Sequence, residues 1–555
     1  MLLLPLSAPP RLRSSASPPN LLLALVSLSA LLVTGPARAD ESATCSTDEA
    51  TAAYRAGFAA QTARDADRAL GEYRRCLELE PDCLACNYEI GWSYWTRGAW
   101  DATVTAWSRT LELDPAHADA KTWLASAKDQ LRRTKSPGSD SLRVPMETAS
   151  APEKAPVQLT LIARFQNYRA EPTGEGDHYD KDIYSPKSVR FTEDGAKAYV
   201  NSLEGFRTPV YDTASLTKTG VIQHRFTSET SDLFGGETTA FDYVFYKKHS
   251  SGDVNRFNGK PVESALSHGG KFLWIPYYRR DWDGGGTSPS AVAIIDVATD
   301  TIVRVMPTGP IPKYVSASPD GNWVAITHWG NNTVALIDVS SGDPATFAYR
   351  PEQLVVEKKL SQAGLAGEDR DKACGYCLRG TVFTPDSKTL LVSRMGGGGI
   401  AGFDTDSGAY LGTVLGMKPT PRHLVVSEDG STLFLSSNIS GYVSRIELSL
   451  VVDALRGSEG RRVNVEGWLA VYVGVGARTL STGPGDRYLF SAVNSTAEVV
   501  VIDTATMNIV SRVRTDSYTV GLAVSPDGSQ VWTTSQGRKG GGGNSVCVYR
   551  VEYTQ

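Results

Sequence analysis

The sequence predicts a multidomain chain, a small all-α helical repeat followed by an all-β, seven-bladed propeller, and three features carry that prediction. Residues 46–133 show matched landmarks 34 positions apart, residues 157–555 repeat one strand–turn–strand pattern seven times, and residues 134–156 between them are rich in Pro, Ser and charge without periodicity. At 555 residues, 41% hydrophobic and 21% charged, the chain is long enough for two or more cores and globular in composition. A formal net charge of −5 gives no global attraction for nucleic acid or an anionic membrane. Nucleic acid is therefore not an expected partner, and any basic site must be local.

Residues 1–39 read as a signal peptide. Arg11 and Arg13 supply positive charge, Leu21 to Val33 form an apolar run, and Ala37-Arg38-Ala39 offers a small-residue cleavage site. The run is shorter than the roughly 20 residues that span a bilayer, so no transmembrane segment is expected after cleavage. The mature protein is expected to be exported, periplasmic or extracellular. An oxidising compartment favours disulfides among the seven cysteines, of which at least one must stay unpaired.

In the helical module, residues 46–133, Ser46 stands three residues before Glu49, the spacing of a reciprocal helix cap. Gly57 and Gly91, Tyr73 and Trp107, and Pro81 and Pro115 are each 34 apart. Small residues permit close helix crossing, aromatics fill the space between paired helices, and each proline follows a helix it cannot continue. The segments "YRAGFAAQTARDADRALGEYRRCLELEP" and "NYEIGWSYWTRGAWDATVTAWSRTLELDP" make this region similar to the tetratricopeptide repeat, although Ala53 and Asn87 stand at the family's first aromatic position. Residues 117–132 read as a capping helix. The resemblance implies a groove for a protein or peptide partner; the alternative is a packing module alone. Residues 134–156 read as a flexible linker.

The propeller region, residues 157–555, carries the cores "PKSVRFTEDGAKAYVNS", "PVESALSHGGKFLWIPY", "PKYVSASPDGNWVAITH", "LRGTVFTPDSKTLLVSR", "PRHLVVSEDGSTLFLSS", "ARTLSTGPGDRYLFSAV" and "TVGLAVSPDGSQVWTTS". Asp-Gly supplies the positive φ of a tight hairpin, and the flanking β-branched and aromatic residues suit strands. Short strands repeated at this spacing predict four-stranded sheets arranged radially, which hides their edges. The copies resemble the YVTN type of β-propeller, with Ala198-Tyr199-Val200-Asn201 nearest its name-giving motif. That resemblance implies fold more than function, because such propellers include binding proteins, lactone hydrolases and electron-transfer subunits. Residues 159–165 are expected to pair with the last strand, near 545–551, and residues 223–260 to form an insertion between the first two blades.

Aligning the seven copies on their turns places Lys187, Val262, Lys313, Arg379, Arg422, Arg478 and Val520 at one equivalent position, where each inner strand begins beside the central channel. Five of the seven are basic, so the ring would focus positive potential and attract an anion or an acidic peptide. Facing loops add Arg279, Arg280, His328 and Arg394, the next strand position adds His423, and Trp329 offers an aromatic wall. The expected ligand-binding set is Lys187, Lys313, Arg379, Arg422, Arg478, Arg394, Arg279 and Trp329. The competing reading is that each cation pairs with a neighbouring blade's carboxylate.

Cys374 with Cys377, and Cys83 and Cys86, are read as disulfide cysteines, with Cys45 or Cys76 also available to the second pair. Haem attachment would need a histidine after Cys377, where the chain has Leu378. No cofactor is expected; the alternative is a zinc or copper site built from Cys374, Cys377, His328 and His423. No serine elbow, HExxH, phosphate loop or dinucleotide fingerprint stands in a supporting context, so no catalytic residue is assigned. The sequence thus predicts an exported binding scaffold, the helical groove for a protein partner and the basic face for an anionic ligand. The alternatives are a propeller enzyme of lactone-hydrolase type and a metal-dependent redox protein.

Overall fold

The computed structural model describes residues 45–63, 65–96, 100–135, 143–236, 239–241, 243–244, 256–361, 369–537 and 544–554. The segment read as a signal peptide lies outside them. Among the described residues no helix is long and apolar enough to cross a membrane. The chain divides into two compact units, residues 1–131 and 132–555.

The first unit holds five helices, α1 (Asp48–Thr62), α2 (Ala66–Leu79), α3 (Leu84–Thr96), α4 (Trp100–Leu113) and α5 (Ala118–Lys135). The cap of α1 is Thr47 rather than Ser46: the Thr47 side chain accepts from the Ala50 amide. The Ser46 amide is instead taken by the Glu80 carboxylate, at 2.7 and 2.9 Å. The 34-residue period has a steric cause. A Cβ on Gly57 would sit 2.8 Å from the Tyr73 ring, and one on Gly91 would fall inside the Trp107 indole, whose Nε1 donates to the Tyr88 carbonyl at 3.0 Å. Gly91→Ala is therefore expected to destabilise the helical unit by about 2 kcal/mol through overpacking. Thermal unfolding followed by tryptophan fluorescence checks this, and an unchanged transition would refute the packing account.

Four cysteines converge on this unit's core. Cys45 is bonded to Cys83 and Cys76 to Cys86, and all four sulfurs lie within 4.8 Å of one another. Cys83 and Cys86 thus do not bridge each other; Cys83 reaches back to Cys45, ahead of α1, and Cys86 to Cys76 in α2. Cys547 is unbonded and buried.

The second unit is a seven-bladed propeller. Its innermost strands are Pro186–Phe191, Ala265–Ser267, Pro312–Ala317, Leu378–Phe383, Pro421–Val426, Ala477–Thr482 and Thr519–Val524, each followed outward by antiparallel neighbours. The turns explain the recurrent Ser/Thr-x-Asp-Gly. In blades one, three, five and seven the Asp accepts from the Ser or Thr two residues earlier, each at 2.6 Å, and the Gly takes positive φ. Blade seven is closed by Val157–Gln166, antiparallel to Ser545–Tyr553, as the sequence predicts. The buried Arg164 bolts this closure, bonding Asp177 at 3.1 Å and lying 3.4 Å from Asp516.

Part of the segment read as a flexible linker is an ordered strap on the propeller. The Val144 amide donates to Asp516 at 2.9 Å, the Val144 carbonyl accepts from Arg164 at 2.6 Å, and Ala149 and Ala151 bridge to Thr160 and Arg512. Buried polar partners fix a segment whose composition alone suggests freedom. Residues 136–142 lie outside the described residues. The insertion between blades one and two also contributes structure: Phe226, Phe234 and Phe257 pack around Tyr277, and Phe257–Pro261 extends the second blade's inner strand.

Candidate functional site at the channel

The same local device recurs where each inner strand starts. A residue in the left-handed region precedes the ring position by two: Ser185, Ile311, Cys377, Thr420, Gly476 and Tyr518, with φ between 50° and 92°. Immediately afterwards the pairing with the second strand slips at Lys187, Lys313, Arg379, Arg422, Arg478 and Val520. A bulge re-aims the side chain of the extra residue. The backbone there is held from the neighbouring blade. The hydroxyls of Thr327, Ser393, Ser436 and Thr479 donate to the carbonyls of Arg379, Arg422, Arg478 and Val520, at 2.6–2.9 Å.

Lys187 in blade one is electrostatically coupled to Arg379, Arg422 and Arg478 in blades four, five and six. Only the central channel brings those blades together. Burial, then the three arginines, push the Lys187 pKa well below its ordinary value. Burial likewise brings Arg379 down to about 10 and lowers Arg422, with Arg379 and Arg478 adding repulsion. A guanidinium keeps its proton in a protein, so for the arginines the repulsion remains as a cost.

The ring divides in two. Lys313 is bonded to Asp371 at 2.9 Å, and its ammonium lies over the Tyr278 and Trp329 rings at 3.9 and 4.9 Å. Arg279 pairs with Asp369 at 3.2 Å, and Arg394, fully buried, with Glu357 at 2.6 Å and Thr413 at 2.7 Å. These three cations hold blades and loops together, as the competing reading expects. By contrast, Lys187, Arg379 and Arg422 have no ion pair among the described residues. Arg379 is 6% exposed and its buried Nη1 has no hydrogen-bond acceptor. Trp329 stands between the two groups, its Nε1 donating to the Asp371 carbonyl at 3.0 Å and its ring 5.5 Å from the Arg379 guanidinium.

The four residues of the zinc or copper alternative are not brought together. Among the described residues the only ligand cluster is the four cysteines of the helical unit. Cys374 is bonded to Cys377. Both nitrogens of His328 are occupied, Nε2 by Thr308 and Gly309 and Nδ1 by Thr333, and burial lowers its pKa to about 3. That histidine is a core polar group with all its bonds made.

Two channel residues escape alignment on charge alone, Glu263 and Tyr314. Each follows a ring position by one, as His423 does. The Tyr314 hydroxyl bonds His423 Nε2, crossing blade four at Gly380, which has no side chain to block it; a Cβ there would lie 2.7 Å from the Arg422 carbonyl. His423 Nδ1 accepts from the Leu480 amide at 3.1 Å. Burial and the cations Arg422, Arg190 and Arg379 keep His423 neutral, with its pKa near 3. Glu263 is coupled to Lys187, Arg379, Arg422 and Tyr314. Applying the His423 offset to every copy finds both residues.

The Cys374–Cys377 bridge lies at the ring's entry, with Cys377 itself the left-handed residue before Arg379. A ring this small contributes little to global stability. Mild reduction is therefore expected to weaken anion binding several-fold while leaving the propeller's circular dichroism intact. Equal affinity before and after reduction would show that the bridge does not aim Arg379.

No protein-family profile matches the chain, and no curated protein matches it in sequence. Solved structures of similar architecture include the hydrazine synthase of Kuenenia stuttgartiensis, at 15% identity and a TM-score of 0.46, covering 69% of this chain and 99% of that one. The Cps50 (Swd1) β-propeller domain from Myceliophteria thermophila matches at 11% and 0.46, covering 66% and 97%. A functionally unknown protein from Desulfotomaculum acetoxidans matches at 13% and 0.43, covering 68% and 98%. At these identities and scores the likenesses carry no argument about function.

Proposed function

We propose that this protein is an exported binding scaffold whose propeller channel captures an anionic ligand, a small oxyanion or an acidic peptide side chain. The observation that carries the reading is Arg379 Nη1, buried without an acceptor beside Lys187 and Arg422, which also lack carboxylate partners among the described residues. Glu263 is coupled to all three cations and Asp371 to Arg379, but neither is bonded to them, and buried cations without a bonded counter-charge are costly unless a ligand supplies one. The helical unit is assigned to a protein partner, on the resemblance of its repeats.

The test is calorimetric titration of sulfate into the full chain and into the Arg379→Ala/Arg422→Ala/Arg478→Ala variant. Charge-assisted hydrogen bonds contribute about 1.5–3 kcal/mol each, so the triple variant is expected to bind at least about 100-fold more weakly. Wild-type affinity should also fall as chloride rises. Unchanged binding by the folded variant would discard the ring. Deleting residues 46–133 is expected to leave sulfate affinity within about twofold, since the ring belongs wholly to the propeller.

A further inference from the structure

Among the described residues, Glu263 and Tyr314 stand beside the ring's cations, and their arrangement specifies more than negative charge. His423 Nδ1 accepts the Leu480 amide, and a backbone amide can only donate. The neutral ring therefore carries its proton on Nε2, which donates to the Tyr314 hydroxyl oxygen. The Tyr314 hydrogen is left for a further acceptor, and the hydroxyl is electrostatically coupled to Glu263, Arg190 and Arg379. Glu263 itself takes part in no hydrogen bond or ion pair among the described residues. The segment that carries it, just before the strand Ala265–Ser267, is held by Arg190, whose Nε and Nη2 both donate to the adjacent Ser264 carbonyl, at 3.1 and 2.8 Å.

We propose, resting on the anion-capture reading, that the channel selects an oxyanion bearing a neighbouring hydroxyl: Lys187, Arg379 and Arg422 take the oxyanion together with the Tyr314 hydroxyl, and Glu263 accepts from the ligand's hydroxyl. A carboxylate in an anion site needs such a reason, because it opposes the ring's attraction. A ligand ammonium is a poorer match for Glu263, since the surrounding cations repel it. A neutral hydroxyl gives Glu263 a donor without that repulsion. Simple oxyanions leave Glu263 with no partner and feel its charge at close range, so they bind less tightly than their hydroxylated counterparts.

The experiment compares D-glucuronate, cyclohexanecarboxylate and sulfate by calorimetric titration of the full chain. Glucuronate is expected to bind at least tenfold more tightly than cyclohexanecarboxylate, which has a ring and carboxylate but no hydroxyls. Glu263→Met should bring that ratio below about twofold while leaving sulfate binding equal or tighter, a result that misfolding cannot produce. Tyr314→Phe should weaken both carboxylates together, and His423→Gln should resemble it. If both carboxylates bind alike, or only sulfate binds, the hydroxyl preference is wrong and the anion reading stands. If the preference survives Glu263→Met, the assignment of Glu263 is overturned. Binding of none of the three probes would instead overturn the anion reading itself.

Discussion

Lys187→Met is expected to stabilise the ligand-free propeller by about 2 kcal/mol at neutral pH, because replacing a buried lysine that has no ion pair and faces three arginines with an apolar chain of similar volume removes desolvation and repulsion together. A rise in Tm of a few degrees, measured by calorimetry in a low-anion buffer, is the corresponding readout. The pH dependence fixes the sign. The folded pKa of Lys187 is depressed, by burial first and by Arg478, Arg379 and Arg422 next. Between that value and the unfolded pKa near 10.4 the unfolded state holds the extra proton, so wild-type stability rises with pH across the interval. The variant lacks this rise, and its advantage shrinks as the unfolded lysine titrates. Added sulfate should stabilise the wild type more than the variant, since a ligand that binds only the folded state adds its binding free energy. A variant no more stable than wild type at any pH would mean that Glu263, to which Lys187 is coupled, offsets the cost of burying it.

Gly380→Val should have the opposite effect, lowering propeller stability by about 3 kcal/mol or more. The new Cβ would meet the Arg422 carbonyl at 2.7 Å, the His423 Cα at 3.0 Å and the Leu424 amide nitrogen at 3.1 Å, all backbone atoms of the next inner strand. Backbone held by sheet bonds on its other side has little room to retreat. The substitution should also part Tyr314 from His423 and so weaken carboxylate binding in whatever fraction folds. Gly521→Val offers the matched case in blade seven, against the Lys187 carbonyl at 2.6 Å. Denaturant unfolding of both variants checks the prediction; wild-type midpoints would show that the blades can move apart at the channel.

The fold was legible because its determinants are local. Asp194, Asp320, Asp429 and Asp527 each bond a hydroxyl two residues back, and Gly57 and Gly91 each face one aromatic 16 residues on, so a short window of sequence contains the whole interaction. The ring was legible in position for the same reason, since every copy counts from its own turn. Its division was not. Whether Lys313 meets Asp371, or Arg394 meets Glu357, depends on loops between blades that have no repeat to align. The partners of Cys83 and Cys86 stayed open for a related reason. Two cysteines three apart suggest a local bridge at Cys374 and Cys377, where the structure has one, yet Cys83 and Cys86 start a helix and meet the more distant Cys45 and Cys76. The ordered strap at 143–156 hides because its partners, Asp516 and Arg512, lie more than 350 residues away.

The closure of blade seven sets the order in which this protein can become competent. Its sheet needs Ser545–Tyr553 against Val157–Gln166, so during synthesis the first-made propeller strand waits with a bare edge until the last has left the ribosome. Lys187 of blade one and Arg478 of blade six are held apart over the same interval, because nothing draws the first blade to the last until the ring shuts. The anion capture we propose would therefore report a finished circle: a chain truncated before Ser545 lacks the strand that closes blade seven.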